Sequence, residues 1–250
     1  MMSYDDWRAA RLAGLQADAG WLNITDRVEY GQGTFRIGRA ADNDLVLSVG
    51  PDHLGTVTRT GSAISFANAD GQALPLDHNR VTISDLLLEF TALEGHYAIR
   101  VRDLSDQARF AFDGLSYFPA DPAWRIRADW VALDAPIQQP IDTVAEIATS
   151  VTVTHKAVFH HGGQQVELLA THGSADRPMF VLRDLTARDS TYPAARFVFG
   201  EDVTADSVTL DFNKAVTPPC GFTPFATCPL PPPQNILPFR IEAGEKRPRL

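Results

Sequence analysis

Five side chains between residues 211 and 228 carry the chemistry this chain can offer most plainly: Asp211, Asn213, Lys214, Cys220 and Cys228. Asp211 and Asn213 are two apart, so on an extended strand they share a face. A carboxylate beside an amide suits a polar ligand; it equally suits capping an irregular segment whose buried carbonyls need donors. Lys214 points to the opposite face unless the strand ends there. Cys220 and Cys228 are separated by seven residues, which is not the paired spacing of a zinc site, and no metal or other cofactor is expected. Free packed thiols, a disulfide and a reactive thiolate all remain open for the pair. A nucleophilic thiolate would need a cationic or histidine neighbour.

Other chemical signatures are missing. His155, His160, His161 and His172 fall on one predicted hairpin and its exit. His155 and His161 share strand parity, but six residues of strand put them ~20 Å apart, so they do not converge on a metal. There is no Gly-x-Ser-x-Gly nucleophile turn, no Gly-x-Gly-x-x-Gly and no phosphate-binding Gly-Lys-Ser/Thr loop.

The elements that must hold these groups are mostly strands. Ser3-x-x-Asp6 resembles a capping box, and Asp6 to Gln16 is rich in helix formers, which predicts one short helix within residues 1–22 with Trp7, Ala10 and Leu15 on its inner side. The apolar period then changes to two. Thr34–Ile37, Leu45–Leu47, Val57, Ile64 and Phe66, Val81–Phe90, Tyr97–Val101 and Arg109–Phe112 form a first β-rich half over residues 23–118. Trp124–Leu133, Val151–Phe159, Val166–Thr171, Met179–Asp184, Arg196–Phe199 and Val208–Phe212 form a second over residues 119–250, after the break at Phe118-Pro119-Ala120-Asp121-Pro122. The expected class is mainly β, of sandwich or barrel type. In the first half, Gly38-Arg39 and Asn43-Asp44-Leu45 resemble the opening of forkhead-associated domains, which are β sandwiches that bind phosphothreonine. Their later Ser-Arg-x-His is Gly50-Pro51-Asp52-His53 here, so the phosphate-contacting serine is missing and the likeness guides strand layout only.

Residues 217–238 stand apart. Residues 218–238 hold both cysteines and eight of the seventeen prolines, which exclude helix and central strand. Ordinary Pro-rich linkers lack aromatics; Phe222 and Phe225 predict an ordered segment pinned to the second half as buried anchors. The net charge of −9 argues against nucleic acid and anionic membrane partners, and no apolar run approaches the ~18 residues of a membrane span. With no basic n-region before an apolar stretch, a cytoplasmic location is expected.

The C-terminal motifs also carry a resemblance. Leu210-Asp211-Phe212-Asn213-Lys214-Ala215, Pro218-Pro219-Cys220, Ala226-Thr227-Cys228-Pro229-Leu230-Pro231-Pro232-Pro233 and Ala243-Gly244-Glu245-Lys246 resemble the bacterial and archaeal family of unknown function DUF1684. Gly20-Trp21-Leu22, Phe118-Pro119-x-Asp121 and Arg183-Asp184 extend the likeness. It adds Asn235 to the matching positions, and puts Lys214 where the family has Arg. The chain departs at Tyr192-Pro193-Ala194-Ala195-Arg196, where the family has glycines, and at Gln234, where it has Glu. The resemblance brings no activity with it. The expected function is therefore a binding module for a small polar or peptide-like ligand at Asp211, Asn213, Lys214, Arg196, Cys220, Cys228 and Asn235. The alternatives are a hydrolase using Cys220 or Asp211 and a structural or interaction subunit.

Overall fold

The structure, a computed structural model, describes residues 3–249; Met1, Met2 and Leu250 lie outside the described residues. The chain is mainly β; its described residues form one α-helix, α1 (Tyr4–Gln16), and three antiparallel or mixed sheets. The Ser3 hydroxyl bonds the Asp6 carboxylate at 2.7 Å and accepts from its backbone N–H at 3.1 Å, so α1 starts on the expected cap. Leu15 is its buried residue, Trp7 is half-buried and Ala10 faces solvent. No helix among the described residues is long and apolar enough to cross a membrane. The chain divides into two compact units, residues 10–112 and residues 1–9 with 113–250, the division falling inside α1.

The unit of residues 10–112 is a two-sheet sandwich. Its strands are β1 (Ile24–Glu29), β2 (Gly33–Gly38), β3 (Leu45–Val46), β4 (Gly55–Thr60), β5 (Ala63–Asn68), β6 (Ala73–Leu74), β7 (Arg80–Ile83), β8 (Leu86–Leu93) and β9 (His96–Asp103). They form sheets of order β1-β9-β8-β7 and β3-β2-β4-β5-β6. Alternating side chains of both sheets, among them Ile37, Val57 and Phe66 against Leu88, Phe90, Ile99 and Val101, make the core. Two expectations are corrected. The run Val81–Phe90 is a tight hairpin, because Ser84 takes φ +52° and turns the chain between β7 and β8. Arg109–Phe112 is not a strand: Asp106 accepts from the Ala108 N–H at 2.8 Å and opens a 3₁₀ turn over Gln107–Phe110. In the forkhead-like stretch β2 and β3 pair in parallel, and Asn43 is buried, bonding the Ala40 and Asp52 carbonyls. Arg39 is tied to the Asp52 carboxylate at 3.0 Å.

The other unit is built on one seven-stranded antiparallel sheet. Its strands are β10 (Arg125–Ile141), β11 (Thr149–His161), β12 (Gln164–Leu169), β13 (His172–Gly173), β14 (Pro178–Leu182), β15 (Arg196–Glu201) and β16 (Ser207–Asp211), in the order β12-β11-β10-β16-β15-β14-β13. Gly162 and Gly163, both with positive φ, close the β11–β12 hairpin as expected. Ala157, Phe159, Leu168, Phe180, Leu182, Val198, Val208 and Leu210 bury one face, and Leu237, Ile241 and Ala243 of the C-terminal segment cover it. Two histidines serve as flat packing plates: His155 stacks on Trp130 at 4.8 Å, and His161 lies between Trp124 and Phe239.

The Pro-rich segment is ordered. Short 3₁₀ turns at Pro219–Gly221 and Pro233–Asn235 bend it, and backbone hydrogen bonds from Val144 to Cys228 and from Leu230 to Asp142 tie it to the tip of the β10–β11 hairpin. Phe222 is buried as expected; Phe225 is only half-buried.

Candidate functional site

β16 ends at Asp211, and the chain turns at once into a 3₁₀ turn over Phe212–Lys214. Asp211 caps that turn, accepting from the Asn213 N–H at 3.2 Å. The turn overrides strand parity: Asn213 folds back onto Asp211, and the Lys214 ammonium comes to 3.8 Å from the same carboxylate. Asp211 and Asn213 are each 2% exposed. The Asn213 amide is fully occupied. Its oxygen accepts from the Asp121 N–H at 2.9 Å, and its nitrogen donates to the Asp121 carbonyl at 2.9 Å and to Asp211 at 3.1 Å. Asn213 thereby clamps the Phe118–Pro122 segment.

The third partner comes from α1. The Tyr4 hydroxyl donates to Asp211, 3.0 and 3.2 Å from its two oxygens, and accepts from Asn213 at 3.3 Å. Burial, and then the hydrogen bond to Asp211 and its negative charge, raise the Tyr4 pKa, so this hydroxyl stays protonated. Around the carboxylate, Arg125 bonds Asp202 at 3.0 Å and lies 3.8 Å from Asp211, while Lys214 bonds Glu201 at 2.5 Å.

Tyr4 also lines a cleft of about 670 Å³ with Asp5, Arg8, Tyr117, Phe118, Pro119, Ala120 and Lys246. Its two cations are each set over a ring. The Arg8 guanidinium lies 4.6 Å from the Tyr117 centroid, and the Lys246 ammonium lies 4.8 Å from that of Phe118. Trp7 meets Tyr117 edge-on at 6.1 Å. A bridge between Tyr117 and Glu245, and hydrogen bonds from Phe118 to Gly244 and from Lys246 to Ser116, fix the two walls. Sequence reasoning missed Tyr4, Arg8, Tyr117 and Lys246 as site residues. The signal was present in part, since Phe118-Pro119 and Ala243-Gly244-Glu245-Lys246 are family motifs and both form this cleft.

Two predicted site residues lie elsewhere, fully enclosed. Arg196 is 1% exposed; it is ion-paired with the buried Asp184 and donates to the carbonyls of Ala243 at 2.6 Å and Ile241 at 3.0 Å. Asn235 is 0% exposed, and its amide joins β12 to β14 through the Leu169 N–H and the Leu169 and Val181 carbonyls. Both fasten the C-terminal segment to the sheet and neither faces the cleft lining. Cys220 and Cys228, not joined by a disulfide, are brought together at a third place: the Cys220 N–H donates to the Cys228 sulfur at 3.2 Å. Among the described residues no group of three or more His, Cys, Asp or Glu side chains is arranged to hold a metal ion.

These features define a β-sheet unit with a clamped C-terminal strap and a cationic, aromatic-walled cleft. Residues 110–246, more than half of the chain, match the family "Protein of unknown function (DUF1684)", and the chain belongs to that family. It is also similar to an uncharacterised protein of Haloarcula marismortui solved in solution by NMR, with 29% identity, coverage of 55% of this chain and 78% of that one, and a TM-score of 0.46. No curated protein matches it.

Proposed function

We propose that the protein is a binding module for a small polar ligand with an anionic group and a flat apolar body, held in the cleft of Tyr4, Arg8, Tyr117, Phe118, Pro119 and Lys246. The observation that carries this reading is the pair of ring-backed cations on one cleft, Arg8 over Tyr117 and Lys246 over Phe118. Arg8 and Lys246 outnumber the single acid of the lining, Asp5, so the cleft favours a carboxylate or phosphate. Tyr117 and Phe118 supply planar surface, and a peptide-like ligand with a free carboxylate also satisfies the set. Asp211 and Asn213 act behind Tyr4: Asp211 accepts its hydrogen bond and Asn213 donates to its oxygen, so the ring is held as a wall of the cleft and the anion is left to Arg8 and Lys246. A hydrolytic role would fall to Asp211 or Cys220, but Asp211 is engaged by Tyr4, Asn213 and the flanking cations, and the partners of Cys220 (Cys228 and Tyr192) include no histidine or carboxylate base for hydrolysis.

Thermal shift with phenyl phosphate, N-acetylphenylalanine and its neutral amide tests the proposal. A ligand at 100-fold its Kd stabilises the native state by about 2.7 kcal/mol, a rise of roughly 5–10 °C in a chain of this size. One or both anions should stabilise and the amide should not. Arg8→Met with Lys246→Met should remove the shift while leaving the unliganded Tm within a few degrees. A shift that survives the double variant, or no shift with either anion, refutes the assignment.

A further inference from the structure

Cys220 and Cys228 are not among the residues lining the cleft, and backbone contacts hold each of them in place. Cys220 sits in the 3₁₀ turn Pro219–Gly221, and its carbonyl accepts from the Tyr192 hydroxyl at 3.0 Å. Gly221 permits this packing, since a Cβ there would come 2.3 Å from a Thr217 methyl and 3.2 Å from the Tyr192 ring. Cys228 is fixed from the other side. Its carbonyl accepts from the Val144 N–H at 2.9 Å, and its neighbour Pro229 bridges Thr143. The two anchored stretches bring the Cys228 sulfur 3.2 Å from the Cys220 nitrogen, and so no more than about 4.7 Å from the Cys220 Cα. That is the reach of a disulfide partner, attained with both cysteines still reduced.

The two thiols differ in access. Cys228 is 5% exposed, whereas Cys220 is half-buried and can be approached. A hydrogen bond from Cys228 pulls the Cys220 thiol down to about 7 against the opposing effect of burial, and Tyr192 adds to the lowering. Cys220 is therefore more thiolate near neutrality than an ordinary thiol. Cys220 and Cys228 are also outside any described cluster of three or more metal-ligating side chains, so no closed zinc site competes for them.

We propose that Cys220 and Cys228 form a reversible dithiol–disulfide couple, with Cys220 as the attacking thiol and Cys228 as the resolving one. The oxidant class is a small-molecule disulfide. The Cys220 thiolate attacks one sulfur of that disulfide; its S–S bond breaks, one thiolate leaves, and a mixed disulfide remains on Cys220. Cys228 loses its proton and attacks the Cys220 sulfur, expelling the second thiolate. The protein gives up two electrons and two protons, and the small disulfide becomes two thiols. The product closes a ring over residues 220–228, cross-linking the Pro219–Gly221 turn to the stretch that holds the β10–β11 hairpin tip.

The test is intact mass spectrometry of the reduced 250-residue chain after incubation with oxidised glutathione. Wild-type protein should lose two hydrogens and retain no adduct, and dithiothreitol should reverse the change. Cys228→Ser and Cys228→Ala should each trap one glutathione on Cys220, and Cys220→Ser should take up at least tenfold less. Iodoacetamide labelling of Cys220 in wild type should rise with pH through about 7, and this midpoint should move up in Cys228→Ala, which removes the hydrogen-bond donor. Stable glutathione adducts on wild type, no reaction, uptake by Cys220→Ser equal to that of Cys228→Ser, or an unmoved midpoint would overturn the couple. The wild-type mass decides the question even if a variant at the buried Cys228 fails to fold.

Discussion

Replacing Asn235 by alanine isolates the role of the clip that joins the C-terminal segment to the sheet. The amide of Asn235 accepts from the Leu169 N–H at 2.8 Å and donates to the Leu169 carbonyl at 3.0 Å and the Val181 carbonyl at 2.8 Å. All three bonds are to main chain and all are buried. Asn235→Ala therefore strands one donor and two acceptors, and each orphaned buried group costs about 1–3 kcal/mol. The expected loss starts at about 3 kcal/mol, before the small cavity is added. With an m of about 2 kcal/mol/M in urea, that moves the midpoint down by about 1.5 M. Tryptophan fluorescence is a suitable probe, because Trp7, Trp124 and Trp130 belong to this unit and Trp21 to the other. Asn235→Asp is the sharper control: it keeps the shape but turns a donor into a carboxylate facing two carbonyls, so it should cost at least as much near neutrality and less in acid, where the introduced group is protonated. A midpoint within 0.3 M of wild type for Asn235→Ala, at unchanged m, would show that water or relaxation satisfies these groups and that the clip reading is wrong.

Two further outcomes follow from the same kind of argument. In the unit of residues 10–112, cross-strand register sets Arg80, Glu89 and Arg100 in one row, and Arg102 adds a fourth charge; Glu89 meets the three guanidinium groups at 2.6–3.0 Å. Burial alone would raise the Glu89 pKa, but the hydrogen bonds and charges of Arg80, Arg102 and Arg100 hold it at about 2 against an ordinary 4.5. A depressed acid contributes stability that is complete above its unfolded pKa and lost as pH falls through the folded one, so about 3 kcal/mol should disappear between pH 5 and 2; Glu89→Gln should cost about 2–4 kcal/mol at pH 7 and flatten that acid limb in chemical denaturation. Gly244 has φ +78°, and a Cβ there would lie 2.5 Å from the Ala215 carbonyl oxygen, so Gly244→Ala should lower the stability of its unit by about 2–4 kcal/mol and speed proteolysis within residues 237–249; unchanged cleavage would mean the strap adjusts without leaving the sheet.

Strand-forming segments were legible where one face is buried, because the period of two survives in residues such as Val153, Ala157 and Phe159 on β11. Turn geometry was less so. Nothing in the run Val81–Phe90 announces that Ser84 will take a positive φ, and the apolar residues on both sides read as one strand. The ordered state of the Pro-rich segment was legible from Phe222 and the cysteines, though Phe225 is less buried than its type implies. The site was legible only in part. Arg196, Asn235, Asp211 and Asn213 have the hydrogen-bonding capacity of ligand-binding residues, and the sequence carries no mark of whether backbone groups will use it up. The cleft lining comes from residues 4–8, 117–120 and 246, which no local spacing connects.

The polar residues near the C-terminus divide by what their hydrogen bonds face, and this division explains why a family pattern can be strong without marking one reactive centre. Arg196 and Asn235 face main-chain carbonyls of the segment and the sheet. Glu245, 0% exposed, accepts from the Thr217 N–H at 2.6 Å, and its own backbone N–H bonds the Ala215 carbonyl. Such positions are constrained by the cost of leaving buried backbone groups unpaired, and proline makes that cost acute because it supplies carbonyls but no donors. A Pro-rich strap thus requires amide, guanidinium and carboxylate side chains around it for its own attachment. Lys246 is the first residue of the strap whose ammonium turns toward a cleft, and it does so directly after the Gly244–Glu245 clamp has fixed its backbone. The structural motif therefore sets the position of a cleft residue, and disturbing Gly244 should affect ligand stabilisation through Lys246 as well as stability itself.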